Sequence, residues 1–565
     1  MRLRGGHGES VGTLLAFLAA AFAAYLPALR GRWVYDDIPL ILQQGCFRSI
    51  GRIPAMLAVW QRGPCNQRPM RYVTYALDHA VFGLDPAGWH AVNVFLHGVV
   101  CWMLYRLLAR LGRSRVAAGV AAGLLCLHPV CTEAVAYVSG RRDLLAALFA
   151  IACVSAYVSA TSRRSALHAA GSVAAFLAAA LSYDGAVALP ALLLLVELRA
   201  LAADGTARRG FFRRPGWWVI GPMLALGLAY AAFRVLAFSP SGKHALWGGS
   251  VGAHVATVLR VHLQYLRQLA LPLWLQADYG EGAFRVSSTL LEPAALLGLS
   301  VVGGAIGLGL WLLRRGSWAG VGLLGYFALL VPSSHLVVHH ELAAEHRLYV
   351  PAMALFALAG EGVHRLVARR RLLWLPAAAL GVALLVLTLR RDRAWTSEEA
   401  LWRATLEVAP RSARALGNLG VLAAERHDGA EAERMFRAAV EVRPDCVNLR
   451  NWGRALRAEG RAAEAAGVLE RALRCQPHAS AWLELGLARR ALADHAGAEA
   501  AVAEAVRIDP GYFDALVVWG ELAPSTRDQR ARWEQVLEKK VGRPEARARL
   551  RRMLEELDPG IELKE

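Results

Sequence analysis

Two adjacent carboxylates, Asp36 and Asp37, are the residues whose placement most strongly suggests chemistry. They lie just beyond an apolar stretch that runs from Val11 to Leu29. A carboxylate at a membrane surface is costly to keep there without a task, and it can act as a general base or hold a metal ion. The pair alone is explained more simply as a solvated loop start, so its interpretation depends on the residues that accompany it.

Histidines and further polar residues follow in the next segments. His90, Asn93 and His97 are spaced by three and four residues, which places them on one face of a helix. Hydrogen bonding between helices accounts for this face as well as a binding site does. The other polar residues of this kind stand in short motifs: Arg68-Pro69-Met70-Arg71, His128-Pro129-Val130 with Glu133, and Tyr183-Asp184.

Basic residues close to these motifs are suited to binding a phosphate. Arg141 and Arg142 are adjacent, and Arg347 ends the motif Glu345-His346-Arg347. A guanidinium group beside a membrane can bind a lipid phosphate, or it can mark the end of a span whose side chain reaches the interface. Residues 340–341, His-Glu, begin a zinc-protease motif that requires histidine at position 344. The chain has alanine there, so that class is excluded.

The elements that position these residues follow from the apolar pattern of the chain. Of its 565 residues, 56% are hydrophobic, and the mean hydropathy is +0.34, a composition typical of a multi-pass membrane protein. The eleven predicted spans are 11–29, 91–109, 116–131, 143–160, 166–182, 185–202, 217–238, 290–313, 317–332, 348–364 and 372–389. The stretch 251–275 is also apolar, but it contains Arg260, His262, Gln264 and Arg267. We predict that it is an amphipathic helix at the membrane surface.

The net charge of +19 is confined to the apolar part of the chain. Residues 1–391 contain 36 lysines and arginines against 16 acidic residues, whereas residues 392–565 contain 28 against 29. The basic residues cluster between apolar segments, as in cytoplasmic loops of membrane proteins, which argues against a nucleic-acid partner. With eleven spans, the clusters share the side of the N-terminus: 110–115, 163–164, 208–214, 314–315 and 365–371. This predicts a cytoplasmic N-terminus, with the C-terminal domain and the loops 30–90, 132–142, 183–184, 239–289 and 333–347 on the opposite side.

Residues 413–510 form a repeat. Pro444, Pro477 and Pro510 are 33 residues apart, and each is preceded at a fixed distance by Leu-Gly or Trp-Gly. Small residues at recurring points allow the two helices of a repeat to approach closely, and a proline ends each pair. The pattern predicts three tetratricopeptide repeats in a domain of residues 392–565, flanked by degenerate helices. One interpretation is that the array serves only for packing and solubility. The other is that it presents a groove for a peptide, lined by Arg450, Arg454, Arg457 and Arg490.

The cysteines limit the kinds of site that the chain can build. There are eight, without a CxxC spacing, which gives no support to a zinc or haem site built on cysteine. Cys101, Cys126 and Cys153 lie in apolar segments and are interpreted as packing residues. Cys46 and Cys65 share one loop, and they could form a disulfide if that loop faces an oxidising compartment.

The motifs occur in an order that resembles the transmembrane and tetratricopeptide-repeat O-mannosyltransferases. The ordered set reads Tyr35-Asp36-Asp37, Arg68-Pro69-Met70, Gly83-Leu84-Asp85-Pro86 with Trp89-His90 and Asn93, His128-Pro129-Val130 with Glu133, Gly140-Arg141-Arg142-Asp143, Asp278-Tyr279 and Glu345-His346-Arg347-Leu348-Tyr349. The resemblance covers nearly the whole chain, repeats included. It departs from the family pattern at Tyr183-Asp184, where the family often has Lys-Glu, and at Glu345-His346-Arg347, where animal members have Glu-Arg.

The resemblance implies an all-α protein, with a GT-C-like polytopic membrane helical bundle over residues 1–391 followed by an α-solenoid of tetratricopeptide repeats. It also implies an inverting transfer of a sugar, mannose, from a polyprenyl-phosphate donor to serine or threonine of a protein. Asp36 or Asp37 would take the proton of the acceptor hydroxyl, and Arg141, Arg142 or Arg347 would stabilise the leaving lipid phosphate. The other candidate site residues are Arg68, His90, His128, Glu133, Asp184, Glu345 and His346.

The predicted protein is thus a glycosyltransferase of a bacterial inner membrane, with its active site and repeats in the periplasm. Its partners would be a polyprenyl-phosphate-linked sugar, a protein or peptide acceptor bound by the repeats, and membrane lipid. A divalent metal is compatible with the carboxylates, and the sequence does not decide whether one is needed. Two other interpretations stay open: a non-catalytic membrane scaffold that presents the repeats, and a GT-C enzyme that acts on lipid or polysaccharide. The outer carboxylates and arginines favour an enzyme, and the repeats favour a protein acceptor.

Overall fold

The computed structural model describes residues 7–58, 63–204, 216–238, 246–280, 282–334, 341–538 and 544–557. In these ranges the chain forms helices, turns and loops and no β-strand, which confirms the all-α class. The chain divides into two compact units, one of residues 1–280 and 284–408 and one of residues 281–283 and 409–565. Two predicted features, the basic cluster at 208–214 and the histidines at 339–340, lie outside the described residues.

The first unit is a bundle of helices joined by short turns and a few longer loops. Its helices are α1 His7–Ala24, α2 Ile53–Leu57, α3 Pro69–Phe82, α4 Pro86–Arg110, α5 Arg115–Leu127, α6 Thr132–Ala136, α7 Arg141–Arg163, α8 Ala166–Ser182, α9 Leu189–Asp204, α10 Trp217–Phe238, α11 Val251–Ala270, α12 Pro293–Arg314, α13 Trp318–Leu330, α14 Tyr349–Arg369, α15 Trp374–Ala394 and α16 Glu398–Val408. By its contacts α16 belongs to this unit. The domain boundary at 391/392 stays a prediction.

All eleven predicted spans coincide with apolar helices of the described chain, but only seven of those helices are long and apolar enough to cross a membrane singly. An eighth candidate is a pair of helices, Arg115–Leu127 and Pro129–Ala136, which is bent by 55° and counts as one span only if the two halves cross together. The other three are shorter apolar helices, Ser10–Ala24, Ala166–Ser182 and Trp318–Ser333. The amphipathic helix α11 is not among the candidate spans found in the described residues, and its position at the membrane surface stays a prediction.

The bend between α5 and α6 has a local cause. Pro129 has no N–H to continue the helix, and its ring obstructs the preceding turn. His128 ends α5, and its Nδ1 accepts a hydrogen bond from the Val130 N–H at 3.2 Å, while its Nε2 lies 3.1 Å from the Leu269 carbonyl. His128 therefore shapes the chain that leads to Glu133 and Arg142.

A cap and a glycine set the position of α4, which carries several of the polar residues predicted to form the site. Gly83 ends α3 with a φ of 58°, a left-handed conformation that favours glycine. Asp85 then caps α4 by accepting a hydrogen bond from the Ala87 N–H at 3.1 Å, with Pro86 at the first helical position. The segment that follows α1 packs against α3 and α4 in an aromatic core around Phe47, Tyr75 and Trp89. This core supports the loop that carries the two adjacent aspartates.

The second unit contains the predicted repeats as antiparallel helix pairs. The pairs are α17 Ala413–Glu425 with α18 Gly429–Val442, α19 Cys446–Ala458 with α20 Ala462–Cys475, and α21 Ala479–Ala491 with α22 His495–Ile508; α23 Phe513–Glu521, α24 Thr526–Glu538 and α25 Pro544–Leu557 follow. The recurring glycines lie where the paired helix leaves no room for a β-carbon, since Gly420 faces Phe436 and Gly453 faces Leu469. The predicted solenoid of tetratricopeptide repeats is confirmed.

Each unit contains one disulfide. Cys46 and Cys65 are joined, with their Cα atoms 6.3 Å apart. Cys446 and Cys475 are also joined, with their Cα atoms 5.5 Å apart, a pairing that the sequence did not suggest. Cys446 begins α19 and Cys475 ends α20, and the antiparallel packing of the two helices brings these ends together. The other cysteines, Cys101, Cys126, Cys131 and Cys153, are reduced and buried.

Candidate active site

A strained residue, Tyr35, immediately precedes the two adjacent aspartates. Tyr35 has a φ of 55°, a left-handed conformation that costs a residue with a side chain about 1 kcal/mol or more. Two contacts hold it there. The Tyr35 hydroxyl donates to Glu341 Oε1 at 2.9 Å, and the Tyr35 N–H donates to Glu398 Oε1 at 3.3 Å. Asp36 and Asp37 follow this turn and have different environments.

Asp37 is fully buried, and its carboxylate accepts hydrogen bonds from other parts of the protein. Its Oδ1 accepts hydrogen bonds from the Ser139 N–H at 2.8 Å and the Ser139 hydroxyl at 2.7 Å. Its Oδ2 accepts from the Val34 N–H at 3.4 Å. Burial raises the pKa of Asp37 to about 7, against the lowering effect of these hydrogen bonds. The contacts join the first loop to the segment just before α7, which is a structural task.

Asp36 is only half-buried. Within the described part of the chain, no group donates a hydrogen bond to its carboxylate. The carboxylate lies within electrostatic range of the Arg142 guanidinium and of the Tyr137 hydroxyl. Of the two aspartates, Asp36 is thus the one whose oxygens are available to another molecule.

Arg142, His346 and Glu133 form a connected chain of polar groups. Arg142 Nη2 donates to His346 Nε2 at 2.8 Å, and His346 Nδ1 lies 2.5 Å from Glu133 Oε1. Because a guanidinium only donates, His346 Nε2 must accept, and the ring proton is then on Nδ1, where it is donated to Glu133. Glu133 Oε2 also accepts from the His346 N–H at 3.1 Å. Glu133 and His346 therefore orient the Arg142 guanidinium.

Three arginines converge on the ring of Tyr183. The Arg68 and Arg142 guanidinium carbons lie 5.8 Å and 6.0 Å from the ring centroid, and Arg347 is within electrostatic range of the hydroxyl. The side chain of Arg142 is 15% exposed and that of Arg68 is 24% exposed, so each has a solvent-facing part. Burial, and next the charge of Arg142, lowers the pKa of Arg68. Like charges held together in this way favour an anion such as phosphate.

Asp184 compensates part of this positive charge. Its carboxylate is bidentate to Arg234, at 2.9 Å from Nε and 3.1 Å from Nη2, and it lies 3.6 Å from Arg68. Tyr230 donates to it at 2.9 Å. Arg234 and Tyr230 were missed in the sequence, because they lie in an apolar span without a surrounding motif. A cation inside a span is the signal that would have found Arg234.

Arg141, although adjacent to Arg142, is fully buried. It forms an ion pair with Asp78, donates from Nε to Asn93 Oδ1 at 2.7 Å, and donates from Nη2 to the Trp89 carbonyl at 2.9 Å. Its charge and donors are thus satisfied within the protein. The predicted role of Arg141 in binding the donor phosphate stays a prediction, and the observed contacts favour a supporting role instead.

A second buried network lies behind the site and is centred on Glu345. Its Oε1 accepts from the Tyr279 hydroxyl and the Gln276 N–H, each at 2.7 Å, and its Oε2 accepts from Arg391 Nη2 at 3.1 Å. Arg391 lies at the end of α15 and was not singled out in the sequence. This network fixes the backbone just before His346 and Arg347. His90, on α4, is also fully buried.

An apolar cavity shares part of its lining with a small pocket that Arg347 borders. It has a volume of about 620 Å³ and is lined by side chains of α4, α7, α9, α13 and α14. Leu189, Leu329 and Val350 line both this cavity and a small pocket that is bounded by Tyr183, His346 and Arg347. At its other end the cavity reaches Arg113, Glu361 and Arg365. An elongated apolar chain attached to a phosphate would find suitable surroundings here.

One group of metal-capable side chains occurs among the described residues. His97, Cys101 and Cys126 have donor atoms within 4.8 Å of one another and are buried in the bundle. The His97 ring is already engaged, with Nδ1 2.6 Å from the Tyr349 hydroxyl and Nε2 3.3 Å from the Cys126 carbonyl. This arrangement is accounted for by packing between α4, α5 and α14. No comparable group within the described ranges includes Asp36.

The apolar helices and the repeats define a multi-pass membrane protein with a tetratricopeptide-repeat unit. No protein-family model matches the chain. The protein O-mannosyl-transferase Tmtc1 of Drosophila melanogaster is 25% identical over an alignment that covers 75% of this chain and 61% of the relative. A Caenorhabditis elegans protein O-mannosyl-transferase is 23% identical over 78% of this chain and 64% of its own length. Human TMTC4, which is also described as a protein O-mannosyl-transferase, is 26% identical over 66% of this chain and 57% of its own length.

The chain is therefore a relative of the transmembrane and tetratricopeptide-repeat O-mannosyltransferases, and it spans less than two thirds of the length of these three relatives. Among solved structures, the archaeal oligosaccharyltransferase AglB from Archaeoglobus fulgidus aligns with a TM-score of 0.39 and 12% identity, over 75% of this chain and 59% of that one. The crystal structure of MamA aligns over 28% of this chain and 86% of that one, with a TM-score of 0.21 and 17% identity. Scores of this size do not establish a shared fold.

Proposed function

We propose that this chain is a GT-C-type membrane glycosyltransferase that transfers a sugar, mannose, from a polyprenyl-phosphate donor to serine or threonine of a protein. The observation that carries the proposal is the convergence of Arg68, Arg142 and Arg347 on Tyr183, with the available carboxylate of Asp36 in electrostatic range of Arg142. A general base beside an anion site is what an inverting sugar transfer requires. Names of relatives that are O-mannosyl-transferases support the same class.

The proposed chemistry is a single displacement. Asp36 accepts the proton of the acceptor hydroxyl while that oxygen forms a bond to the anomeric carbon of the sugar. The bond between the anomeric carbon and the donor phosphate oxygen breaks, and the electron pair stays on the leaving polyprenyl phosphate. Arg142 and Arg347 stabilise the charge that grows there, because a prearranged donor needs no reorganisation during the reaction. Glu133 and His346 hold Arg142 in position.

The apolar cavity supports a lipid-linked donor. A phosphate held by the arginines would place its polyprenyl chain beside Leu189, Leu329 and Val350, where the pocket adjoins the cavity. Because a polyprenyl chain is already in an apolar environment in the bilayer, the cavity would contribute mainly by packing against the chain and orienting it. A free sugar nucleotide has no group that would use this surface.

The repeats are the proposed means of binding a protein acceptor, because such solenoids present an extended concave surface. The available carboxylate and the arginines count against the alternative of a non-catalytic scaffold, which has no use for them. An enzyme that modifies lipid or polysaccharide would use the same donor site but would not need the repeats. The acceptor therefore distinguishes these interpretations.

The proposed location is a bacterial inner membrane, with the site and repeats on the periplasmic side. The two disulfides lie in the first outer loop and in the repeats, both of which the charge pattern places outside the cytoplasm. The reduced cysteines lie within helices of the bundle. This distribution is the one that an oxidising outer compartment produces.

The proposed function is tested by a transfer assay with the full chain in membranes. The assay supplies polyprenyl-phosphate mannose and periplasmic proteins, and mass spectrometry then measures hexose on serine and threonine. Transfer to protein supports the proposal. Transfer to lipid or polysaccharide alone favours an enzyme that modifies those acceptors. No transfer with any lipid-linked sugar favours a non-catalytic scaffold.

The topology can be tested with reporters that are active only after export. A reporter fused after Glu565 is expected to be active and one fused after Arg209 inactive, because the arginine-rich loops remain in the cytoplasm. Reporter activity in cells, normalised to the amount of fusion protein, is the measurement. The reverse pattern would show that the proposed orientation is wrong.

Removal of Arg347 is expected to weaken transfer selectively. Arg347→Ala should lower the transfer rate by about tenfold to a hundredfold, since a charge-assisted hydrogen bond contributes about 1.5–3 kcal/mol. The matched control is Arg315→Ala, which removes an arginine that stacks on Trp311 on the predicted cytoplasmic side. Initial rates at several donor concentrations are the measurement. Equal losses in the two variants would mean that Arg347 has no special contact with the donor.

A further inference from the structure

The helix α19 presents three arginines on one face. Arg450, Arg454 and Arg457 are four and three residues apart, so their side chains are neighbours along one side of the helix. Arg450 lies within electrostatic range of Glu484 on α21 and of Tyr512, just before α23. The three arginines therefore face the side of the unit along which the first helices of successive repeats follow one another.

Two of the predicted groove arginines are neutralised by acidic residues from the next repeat. Arg457 Nε lies 2.7 Å from Glu484 Oε2, and Arg490 Nη1 lies 2.7 Å from Glu521 Oε2. Other arginines of this unit also form ion pairs, four of them with a residue three or four positions away along the chain. These pairs are Arg434 with Glu431, Arg437 with Glu433, Arg461 with Glu464, Arg489 with Glu470, Arg507 with Glu504 and Arg532 with Glu499.

Arg450 and Arg454 differ from these. In the described part of the unit neither forms an ion pair within 4.0 Å, and Glu484, which lies within electrostatic range of Arg450, is already bonded to Arg457. Arg454 is exposed, whereas Arg450 is half-buried. Burial, and next the charge of Arg454, lowers the pKa of Arg450. The pair is thus a local excess of positive charge whose repulsion an anion would relieve.

We propose that Arg450 and Arg454 bind an acidic, extended segment of polypeptide along the inner face of the repeats. Carboxylates of that segment pair with the two guanidinium groups, and Tyr512 offers an apolar surface with a hydroxyl beside them. That this segment belongs to the acceptor rests on the proposed function. The binding of the segment itself does not.

The charge of the whole unit favours a peptide over a larger polyanion. Residues 392–565 contain 28 basic against 29 acidic residues, so the positive patch is a local feature of a nearly neutral domain. A nucleic acid or an anionic membrane surface requires a broad basic face. A short stretch of glutamate or aspartate side chains needs only the two arginines and an extended groove.

The test uses the full chain in detergent and a fluorescent peptide of alternating glutamate and serine. Fluorescence anisotropy is expected to show binding that weakens with salt. A peptide with glutamine in place of glutamate should bind at least about tenfold more weakly. Arg450→Ala with Arg454→Ala should cause a loss of the same size. The control, Arg471→Ala with Arg474→Ala, removes the same charge from exposed positions on α20 and should change affinity less than about twofold.

Equal losses in the two double variants, or equal binding of the glutamine peptide, would overturn this inference. Thermal unfolding of each variant checks that the repeats remain folded. If the wild type transfers sugar to protein but binds no acidic peptide, the inference fails and the proposed function stands. If the peptide binds through these arginines and no transfer occurs with any lipid-linked sugar, the inference stands and the proposed function fails.

Discussion

Asp36→Asn is expected to lower the rate of sugar transfer by about 10²–10⁴-fold, the usual cost of removing a general base. Asparagine has nearly the same shape but cannot accept the proton of the acceptor hydroxyl. Because the Asp36 carboxylate is half-buried and receives no hydrogen bond from the described residues, the change removes no contact that holds the fold together. Expression, membrane insertion and thermal stability should remain close to those of the wild type.

Two neighbouring carboxylates provide the controls for this variant. Asp37→Asn keeps an oxygen that can accept from Ser139, so it should reduce transfer by less than about tenfold. Asp85→Asn keeps the cap of α4, since asparagine caps helices about as well as aspartate, and it should leave the rate nearly unchanged. Initial rates in the membrane assay are compared at equal protein. Full activity of Asp36→Asn, or a larger loss in Asp37→Asn, would show that the base is assigned to the wrong residue.

Arg142→Gln is expected to lower the turnover rate by about 10²–10³-fold, as does removal of a donor that stabilises negative charge in the transition state. The loss should be in the rate at saturating donor, because the charge on the phosphate grows most as the bond to the sugar breaks. The hydrogen bond between Glu133 and His346 does not involve residue 142, so it should persist in this variant. The fold should therefore persist.

The adjacent Arg141 gives the contrasting variant. Arg141→Gln leaves Asp78 buried without its ion-pair partner, and loss of one partner of a buried pair costs about 3–5 kcal/mol of stability. We expect a lower unfolding temperature and reduced amounts of protein in the membrane. Thermal unfolding and transfer are measured for both arginine variants. A stable, inactive Arg141→Gln together with a stable, active Arg142→Gln would reverse the roles given to the two residues.

The spans and repeats were predictable because each depends on local patterns. An apolar run of a given length and a period of 33 residues are properties of short stretches, and the structure has an apolar helix at each predicted span and a helix pair at each predicted repeat. The number of spans was harder to predict, because only seven helices of the described chain are long and apolar enough to cross a membrane by themselves. The bend at Pro129 follows from the proline itself, and α1, α8 and α13 fall among the shorter apolar helices.

The partners of the site residues were not predictable from local patterns. Glu133 and His346 are far apart in the sequence and meet only because α6 packs near the start of α14. Arg234 lies in an apolar span, and its role becomes visible only from its contact with Asp184. Cys446 and Cys475 join because two helices of one repeat run antiparallel. In each case the distance in space is set by packing.

By itself the sequence determined which residue types were available, that the chain has a membrane part and a repeat part, and in what order the motifs occur. Only the tertiary structure decided between neighbours of the same chemical type. Asp36 and Asp37 are indistinguishable as adjacent carboxylates, and Arg141 and Arg142 as adjacent cations. The side chain of Asp37 points into the protein and bonds to Ser139, and that of Arg141 points into the protein and pairs with Asp78. Asp36 and Arg142 lie at the proposed site instead. A carboxylate or guanidinium acts on another molecule only where the fold leaves its polar atoms accessible, and that is a property of the packing around it.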